Sequence, residues 1–474
     1  MYLMSQKKYI TTTLPYVNAE PHIGFALEIV QADVIARTWR QQGYDVVFNT
    51  GTDEHGQKIY QKALEAKQDP QAYCDEYAQK FNDLRGALNL SYTHFIRTTD
   101  KHHITAAQEF WNRCLKNGDI YKKNYQTKYC VGCEMEKTDS DLVEGKCPLH
   151  AKNPIELRAE ENYFFAFSKF QKPLLDLYNK NPPFVLPDSK LNEIVQFVSG
   201  GLQDFSISRL KSKMPWGIPV PNDPDHVMYV WFDALINYIS TIGWPIDEAQ
   251  FNSWWPGIQV AGKDNLRQQS AMWQAMLLSA KLPLSKQTII HGFITSNGQK
   301  MSKSLGNVVN PYEMIQKYGT DAVRFYLLRE IPTLDDGDFS ESRMYELYNS
   351  DLANELGNSV SRVTTLAAKD GISVHQKPYG ITPEDSALTD SFKLNAILVS
   401  IWEEVKKINK VINENEPWNK TPEVRREFLV ETLEKLFIVG NRLSPFMPKT
   451  GKLIVAGTNG SIAKVPPLFP RLSK

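Results

Sequence analysis

Lys8-Tyr9-Ile10-Thr11-Thr12-Thr13, then Leu14-Pro15-Tyr16-Val17-Asn18-Ala19-Glu20-Pro21, then His22-Ile23-Gly24-Phe25 is the stretch on which the fold turns. Its first part is β-branched and reads as a short strand, and its second part is made of turn formers. From Gly24 to about Gln42, residues Leu27, Val30, Val34 and Ile35 recur near helical spacing, and Gly43 ends the run. Val46-Val47-Phe48 is a second apolar strand. Strand, helix and strand at this spacing predict an α/β unit on a parallel sheet. The junction also carries chemistry. A helix N-terminus offers unpaired N–H groups and the positive end of a dipole, which suits phosphate. His22 can donate there, and Gly24 lets a nucleotide approach the backbone. Taken alone, the segment reads more simply as a Pro-rich turn before a helix.

Outward from this unit, Lys101 to about Gly118 is a further helix. From Asp119 to Asp225 the texture changes to aromatics, Pro and Gly, with three of the 5 cysteines, which predicts an inserted domain. His226–Ile242 and Gln287–Thr295 resume the strand-and-helix pattern. Beyond about Asp335 the pattern is helical, with amphipathic runs at Leu352–Leu366, Phe392–Asn415 and Val424–Leu443 and with Pro417 and Pro422 between the last two. The expected division is therefore 1–118 and 226–334 as two halves of a Rossmann-like catalytic domain, 119–225 as the insert, and 335–474 as a helical bundle.

The 474 residues are long for one core. Lys+Arg and Asp+Glu are both 54, hydrophobic residues are 42% and charged residues 23%, an ordinary globular profile that argues against disorder. A net charge of zero argues against gripping nucleic acid by bulk charge. No apolar run approaches the ~18–20 residues of a membrane span, and Met1–Ile10 lacks the apolar core of a secretory signal. So few cysteines do not make a disulfide scaffold, which places the chain in a reducing cytoplasm.

Two more stretches carry chemistry. Gly298-Gln299-Lys300-Met301-Ser302-Lys303-Ser304-Leu305-Gly306-Asn307 sets two lysines three apart among Gly and Ser. Such a loop is either a plain solvated surface or a cationic arm for a phosphate that moves during reaction. Cys130, Cys133, Cys147 and His150 form two close-spaced pairs across a short loop, as a tetrahedral Zn²⁺ knuckle requires. Four protein ligands leave no open position, so this zinc is expected to be structural. Cys74 and Cys114 have no such partners and read as buried small hydrophobes.

The pentapeptide Lys300-Met301-Ser302-Lys303-Ser304 together with His22-Ile23-Gly24 upstream resembles the paired motifs of class I aminoacyl-tRNA synthetases. Leu14 to His22, Thr50-Gly51-Thr52-Asp53-Glu54-His55-Gly56, Tyr229-Val230-Trp231-Phe232-Asp233-Ala234 and His291-Gly292-Phe293 narrow the resemblance to methionyl-tRNA synthetases of the short bacterial type, over nearly the whole chain. The resemblance implies a ligase that joins methionine to ATP as methionyl-adenylate, releases pyrophosphate, and transfers methionine to the terminal adenosine of initiator and elongator tRNA(Met). It implies that His22 meets the α-phosphate, and that Lys300 and Lys303 hold the leaving pyrophosphate with Mg²⁺. Gly24, Phe25, Gly262, Asp264 and Ser302 then belong to the ATP site. Leu14, Tyr16, Trp231, Ala234, Tyr238 and His291 surround the methionine side chain, and Asp53 takes the α-ammonium. Asn358, Arg362 and Trp418 read the anticodon. Without the resemblance, Trp231 and Tyr238 read as core aromatics, Asn358 and Arg362 as a helix-surface pair, and Trp418 as a core residue.

Phe25 stands where the family's first motif has a second histidine, and Phe cannot donate to phosphate. An active enzyme with a modified ATP site is expected; a catalytically dead tRNA-binding module is the alternative in another class. Within the class, leucyl, isoleucyl and valyl enzymes would need a larger insert for editing, and a cysteinyl enzyme would need zinc in its catalytic domain. The chain is expected to be a monomer. Residues 351–474 hold 17 Lys+Arg against 14 Asp+Glu, so the small positive bias falls on the helical part. Binding of tRNA should then rest on placed contacts and stacked bases more than on counterion release.

Overall fold

The computed structural model describes residues 6–133, 135–137, 141–301 and 306–473. Its central sheet has 6 strands: β1 (Lys7–Thr12), β2 (Asp45–Thr52), β3 (His94–Arg97), β4 (Val185–Leu186), β5 (Ile258–Gly262) and β6 (Gln287–His291). All pairings are parallel, in the order β3-β2-β1-β5-β6-β4. From β1 the chain steps outward to β2 and β3 on one side; from β5 it steps outward to β6 on the other. Connections diverge at the β1/β5 boundary, and a crevice opens outside the carboxyl ends of the strands there. Gly51 is required for the packing of β2 on β3, since a Cβ at that position would lie 1.8 Å from the Ile96 carbonyl oxygen.

Alternation along the strands builds two cores. Ile10, Phe48, Val260 and Ile289 face helix α1 (Ile23–Gln41). Tyr9, Val47, Ala261 and Ile290 face the other way, toward α2 (Lys101–Lys116). Successive strand side chains must point to opposite faces, so each apolar doublet feeds both layers.

The C-terminal third is mainly helical; Gly337–Phe339 pairs with Ile294–Ser296, and Ser373–Val374 with Gly460–Ser461. It includes α3 (Thr320–Arg329), α4 (Asn358–Lys369), α5 (Leu394–Asn415) and α6 (Pro422–Leu443). Helix α5 buries Leu394, Ile397, Leu398, Ile401, Trp402, Val405, Ile408 and Ile412 at helical spacing. These stripes continue the α1 side of the sheet as one core. Arg324 locks the junction: it is fully buried, pairs with Asp33 of α1 at 2.8 Å, and donates from Nε to the Phe446 carbonyl at 2.7 Å. A buried guanidinium is tolerated because it is ion-paired and hydrogen-bonded. The run expected as one helix over Leu352–Leu366 is divided, with π-helical turns over Tyr348–Gly357 before α4 begins. Within those turns the Glu355 carbonyl accepts from Ser359 Oγ at 2.5 Å and Asn409 Nδ2 at 3.0 Å, side-chain bonds that compete with the regular ladder.

Between residues 119 and 225, Ile120–Cys130, Met135–Lys137, Ile155–Phe165 and Phe205–Ser206 make an antiparallel sheet. In the same stretch of chain, β4 stands outside that sheet and pairs with β6 at the edge of the central one. Among the described residues, no helix is long and apolar enough to cross a membrane.

Candidate active site

A cavity of about 630 Å³ opens at the carboxyl edge of the central sheet. Parallel strands all end at this edge, so distant segments meet there. Thr13 and Leu14 follow β1, Asp53 follows β2, Asp264 follows β5 and His291 ends β6, and all four segments line the cavity.

On one side stands the start of α1. His22 is its N-cap, with extended φ/ψ, and His22 Nδ1 accepts from the Gly24 N–H at 3.1 Å. That bond leaves Nε2 as the proton-bearing nitrogen of the neutral ring, free to donate into the cavity. The cavity walls withdraw water from His22 and lower its pKa. Gly24 has no room for a side chain, as a Cβ would lie 2.9 Å from the His22 ring. Phe25 lines the cavity and packs edge-on against Phe81, with centroids 5.3 Å apart. The Ile23 N–H donates to the Val309 carbonyl at 3.0 Å, tying α1 to the chain that follows the lysine loop. Lys300 ends a two-residue strand paired with Thr295, which lines the cavity. Ser302 and Lys303 lie outside the described residues.

Gly262 and Asp264 enter from β5. A Cβ on Gly262 would sit 2.9 Å from Asp264 Oδ1, so the glycine makes space for that carboxylate. Asp264 Oδ1 also accepts from Asn265 Nδ2 at 3.3 Å.

The opposite side is more enclosed. Tyr16 and Asp53 form a parallel bridge that extends the β1–β2 pairing into the site. Tyr16 meets Trp231 edge-on at 6.4 Å. Trp231 and Ala234 lie on the short helix Val230–Ala234, and Tyr238 on Asn237–Ser240. Tyr9 Oη donates to the Tyr238 carbonyl at 2.8 Å, and Asn49 Nδ2 donates to Asn237 Oδ1 at 3.1 Å, fastening these helices to the sheet. His291 is buried. Burial alone would lower its pKa, but Glu28, with Oε2 2.9 Å from Nε2, outweighs burial and raises it.

Sequence reasoning overlooked several residues here. Glu28 is one, and it also accepts from Thr13 N at 2.8 Å and Thr13 Oγ1 at 2.6 Å. Asp233 is another, fully buried between His55 Nδ1 at 2.7 Å and His103 Nε2 at 2.8 Å. Burial would raise the Asp233 pKa; the histidines hold it below the usual carboxylate range. His55 belongs to the segment carrying Asp53, so this bridge couples the end of β2 to the helix carrying Trp231. Asn265, Gln268 and Gln269 also line the cavity. The visible signal was a Gln pair just ahead of the mainly apolar run Ala271 to Leu278.

The inserted sheet brings Cys130, Cys133, Cys147 and His150 together, with ligand atoms all within 4.8 Å of one another. Cys133 Sγ lies 3.4 Å from Cys147 Sγ and 3.2 Å from His150 Nδ1. Sulfurs around one tetrahedral zinc stand about 3.8 Å apart, so the donor set fits one such ion. Gly132 is obligatory, because a Cβ would come within 2.5 Å of the His150 ring. Cys133, Met135, Leu149 and His150 line the cavity as well, so the knuckle forms part of its wall. Cys74 and Cys114 are buried, as expected of small hydrophobes.

Asn358, Arg362 and Trp418 lie away from this cavity on the helical part. The Arg362 guanidinium carbon sits 4.4 Å above the Trp418 ring, and Nη1 donates to Asn413 Oδ1 at 3.0 Å. Trp418 is 42% exposed, so it is a surface platform and not a core residue.

The model of the class I tRNA synthetases (M) matches residues 8–154 and 138–364. A methionine–tRNA ligase of Thermotoga maritima is 44% identical over 469 residues, covering 94% of this chain and 74% of that one. The Thermosynechococcus vestitus ligase is 42% identical over 492 residues, covering 97% and 92%. Among solved structures, a Mycobacterium tuberculosis methionyl-tRNA synthetase in complex with methionyl-adenylate superimposes with a TM-score of 0.91 at 36% identity, covering 98% of this chain and all of that one. The apo form gives 0.84 at 31%.

Proposed function

The chain belongs to the methionyl-tRNA synthetases of class I, and from that membership we propose how its residues divide the reaction. The enzyme activates methionine with ATP and charges tRNA. In the first step a methionine carboxylate oxygen attacks the α-phosphorus and the bond to the β-phosphate breaks, releasing pyrophosphate. In the second, a hydroxyl of the tRNA's terminal adenosine attacks the acyl carbon, loses its proton, and AMP leaves. Neither step needs a covalent bond to the protein. Alignment and charge stabilisation therefore carry the rate.

His22 Nε2–H donates to the α-phosphate as charge builds there, and the positive end of the α1 dipole adds to its pull. Lys300 and Lys303 hold the leaving pyrophosphate. Mg²⁺, bound with the ATP, would supply further neutralisation. Asp264 accepts from a ribose hydroxyl. Asp53 receives the α-ammonium, and Leu14, Tyr16, Trp231, Ala234, Tyr238 and His291 enclose the side chain. Zinc held by Cys130, Cys133, Cys147 and His150 would organise the knuckle and take no part in the chemistry. The helical face of Asn358, Arg362 and Trp418 receives the anticodon bases of initiator and elongator tRNA(Met). We place the enzyme in the cytoplasm as a monomer.

The observation that carries this reading is the convergence of His22, Asp53, Asp264, Trp231 and His291 on one cavity at the β1/β5 switch. Methionine-dependent ATP–pyrophosphate exchange, with zinc content measured on the same sample, tests it. Exchange stimulated by methionine is expected; exchange stimulated only by a branched aliphatic amino acid or cysteine would replace it with another class I activity. Single-turnover adenylate formation in wild type, Phe25→His and Lys303→Ala tests the role of the altered motif. Wild-type enzyme that binds tRNA yet forms no adenylate would make the chain a tRNA-binding module.

A further inference from the structure

Trp418 stands on the link between α5 and α6. Helix α5 stops at Asn415, where Glu416 turns into the left-handed region with φ 43° and ψ 55°, and α6 begins at Pro422. Between them Pro417–Asn419 make a 3₁₀ turn. The Trp418 ring is exposed and gains little hold from packing, so the backbone of this turn decides where it points.

One buried side chain grips that backbone. Arg425, near the start of α6 and 5% exposed, donates from Nη1 to the Pro417 carbonyl at 3.2 Å and to the Lys420 carbonyl at 2.9 Å. Its other edge holds Asp370, with Nε 2.6 Å from Oδ2 and Nη2 2.5 Å from Oδ1. Asp370 is the C-cap of α4, the helix that carries Asn358 and Arg362. A single guanidinium therefore binds the helix of Asn358 and Arg362 to the turn of Trp418, and Arg362 meets the Trp418 ring across that junction.

The ion pair with Asp370 is enough to fasten α6 to α4. The two carbonyl bonds go further, because they fix the turn that carries the ring. The planar fork of an arginine supplies both at once, whereas a lysine ammonium is a point charge on a flexible stem. A binding surface held in its bound shape before the partner arrives escapes much of the ordering cost of association. Resting on the reading that Asn358, Arg362 and Trp418 receive the anticodon bases, we infer that Arg425 is a positioning residue for anticodon recognition, setting the Trp418 ring and the Asn358–Arg362 face in register ahead of the RNA. Being buried, it acts through Trp418 and not on a base.

The test is a double-mutant cycle on the full chain, read as affinity for an anticodon stem-loop by fluorescence anisotropy, in wild type, Arg425→Lys, Trp418→Ala and the two combined, each checked by its melting profile. Arg425→Lys is expected to lower affinity about 5- to 20-fold, and by less than about twofold once Trp418 is replaced by alanine. A merely structural role would not produce that non-additivity. Asp370→Leu with Arg425→Met removes both charges of the buried pair together, so neither is left uncompensated, and leaves the two carbonyls ungripped. This paired variant carries the same cycle if Arg425→Lys does not fold. Equal losses in the two Trp418 backgrounds overturn the inference, as does unchanged affinity in both Arg425 variants while Trp418→Ala weakens binding; either result leaves the anticodon reading standing. Unchanged affinity in Trp418→Ala, Asn358→Ala and Arg362→Ala overturns the anticodon reading and the inference with it.

Discussion

His291 and Glu28, 263 residues apart in the chain, form a buried ion pair with Nε2 2.9 Å from Oε2. The second ring nitrogen, Nδ1, lies 2.8 Å from the Gly292 carbonyl oxygen. A carboxylate and a carbonyl both accept, so this setting favours the doubly protonated, cationic form of His291. The raised pKa has the same origin.

Glu28→Gln removes the charge that holds this state. The His291 pKa should fall, and methionine-dependent exchange should lose activity at neutral pH. The folded pKa is raised, so the pair stabilises fully below the pKa of an unfolded histidine and the benefit fades as pH rises through the folded value. Melting temperature against pH checks this: the wild-type advantage over Glu28→Gln should shrink toward alkaline pH. A constant advantage would contradict the ionic account.

Asp233 shows the reverse linkage. Its pKa is depressed, so its contribution is present above the pKa of an unfolded carboxylate and lost as pH falls through the folded one. Asp233→Ala leaves His55 and His103 without their shared buried partner and should cost about 3–5 kcal/mol. Chemical denaturation at neutral pH measures it. A cost below 1 kcal/mol would mean the bridge does not hold the Trp231 helix in place.

The knuckle forms part of the cavity wall through Met135 and Leu149. Cys147→Ala, or exhaustive chelation, should therefore lose the metal, lower the melting temperature and raise KM for the small substrates together. Metal loss with unchanged KM would show that the knuckle and the cavity are independent.

Trp418→Ala removes the surface on which Arg362 now rests. Base–aromatic stacking is worth about 1–3 kcal/mol per base, so affinity for an anticodon stem-loop should fall by roughly 5- to 150-fold. Filter binding or anisotropy reads this directly, and the wild-type salt slope should be shallow. An unchanged affinity would take Trp418 out of the interface.

Local signals made much of this legible. The β1–α1–β2 unit is written in the β-branched run, the helical spacing of Leu27 to Ile35 and the stop at Gly43, because strand and helix periods depend only on neighbours in the chain. The metal set is written in two short pairs, Cys130/Cys133 and Cys147/His150, because close ligand spacing survives any fold. Glu28, Asp233 and Gln268 were not legible. Each is one polar residue within an apolar or helical run, and its role depends on a partner or cavity supplied from elsewhere in the chain.

The sequence by itself determined the class of sheet, the helix start at His22, the Cys3His cluster and the helical C-terminal part, since each follows from periodicity, turn chemistry or ligand spacing within tens of residues. Tertiary structure alone decided that the helical part shares a core with the sheet through Arg324 and Asp33, that Glu28 stands against His291, and that Asp233 is shared by His55 and His103. Those outcomes depend on long-range packing: protonation and hydrogen-bond satisfaction are set by which groups burial brings within about 3 Å of one another, and no local pattern encodes that distance.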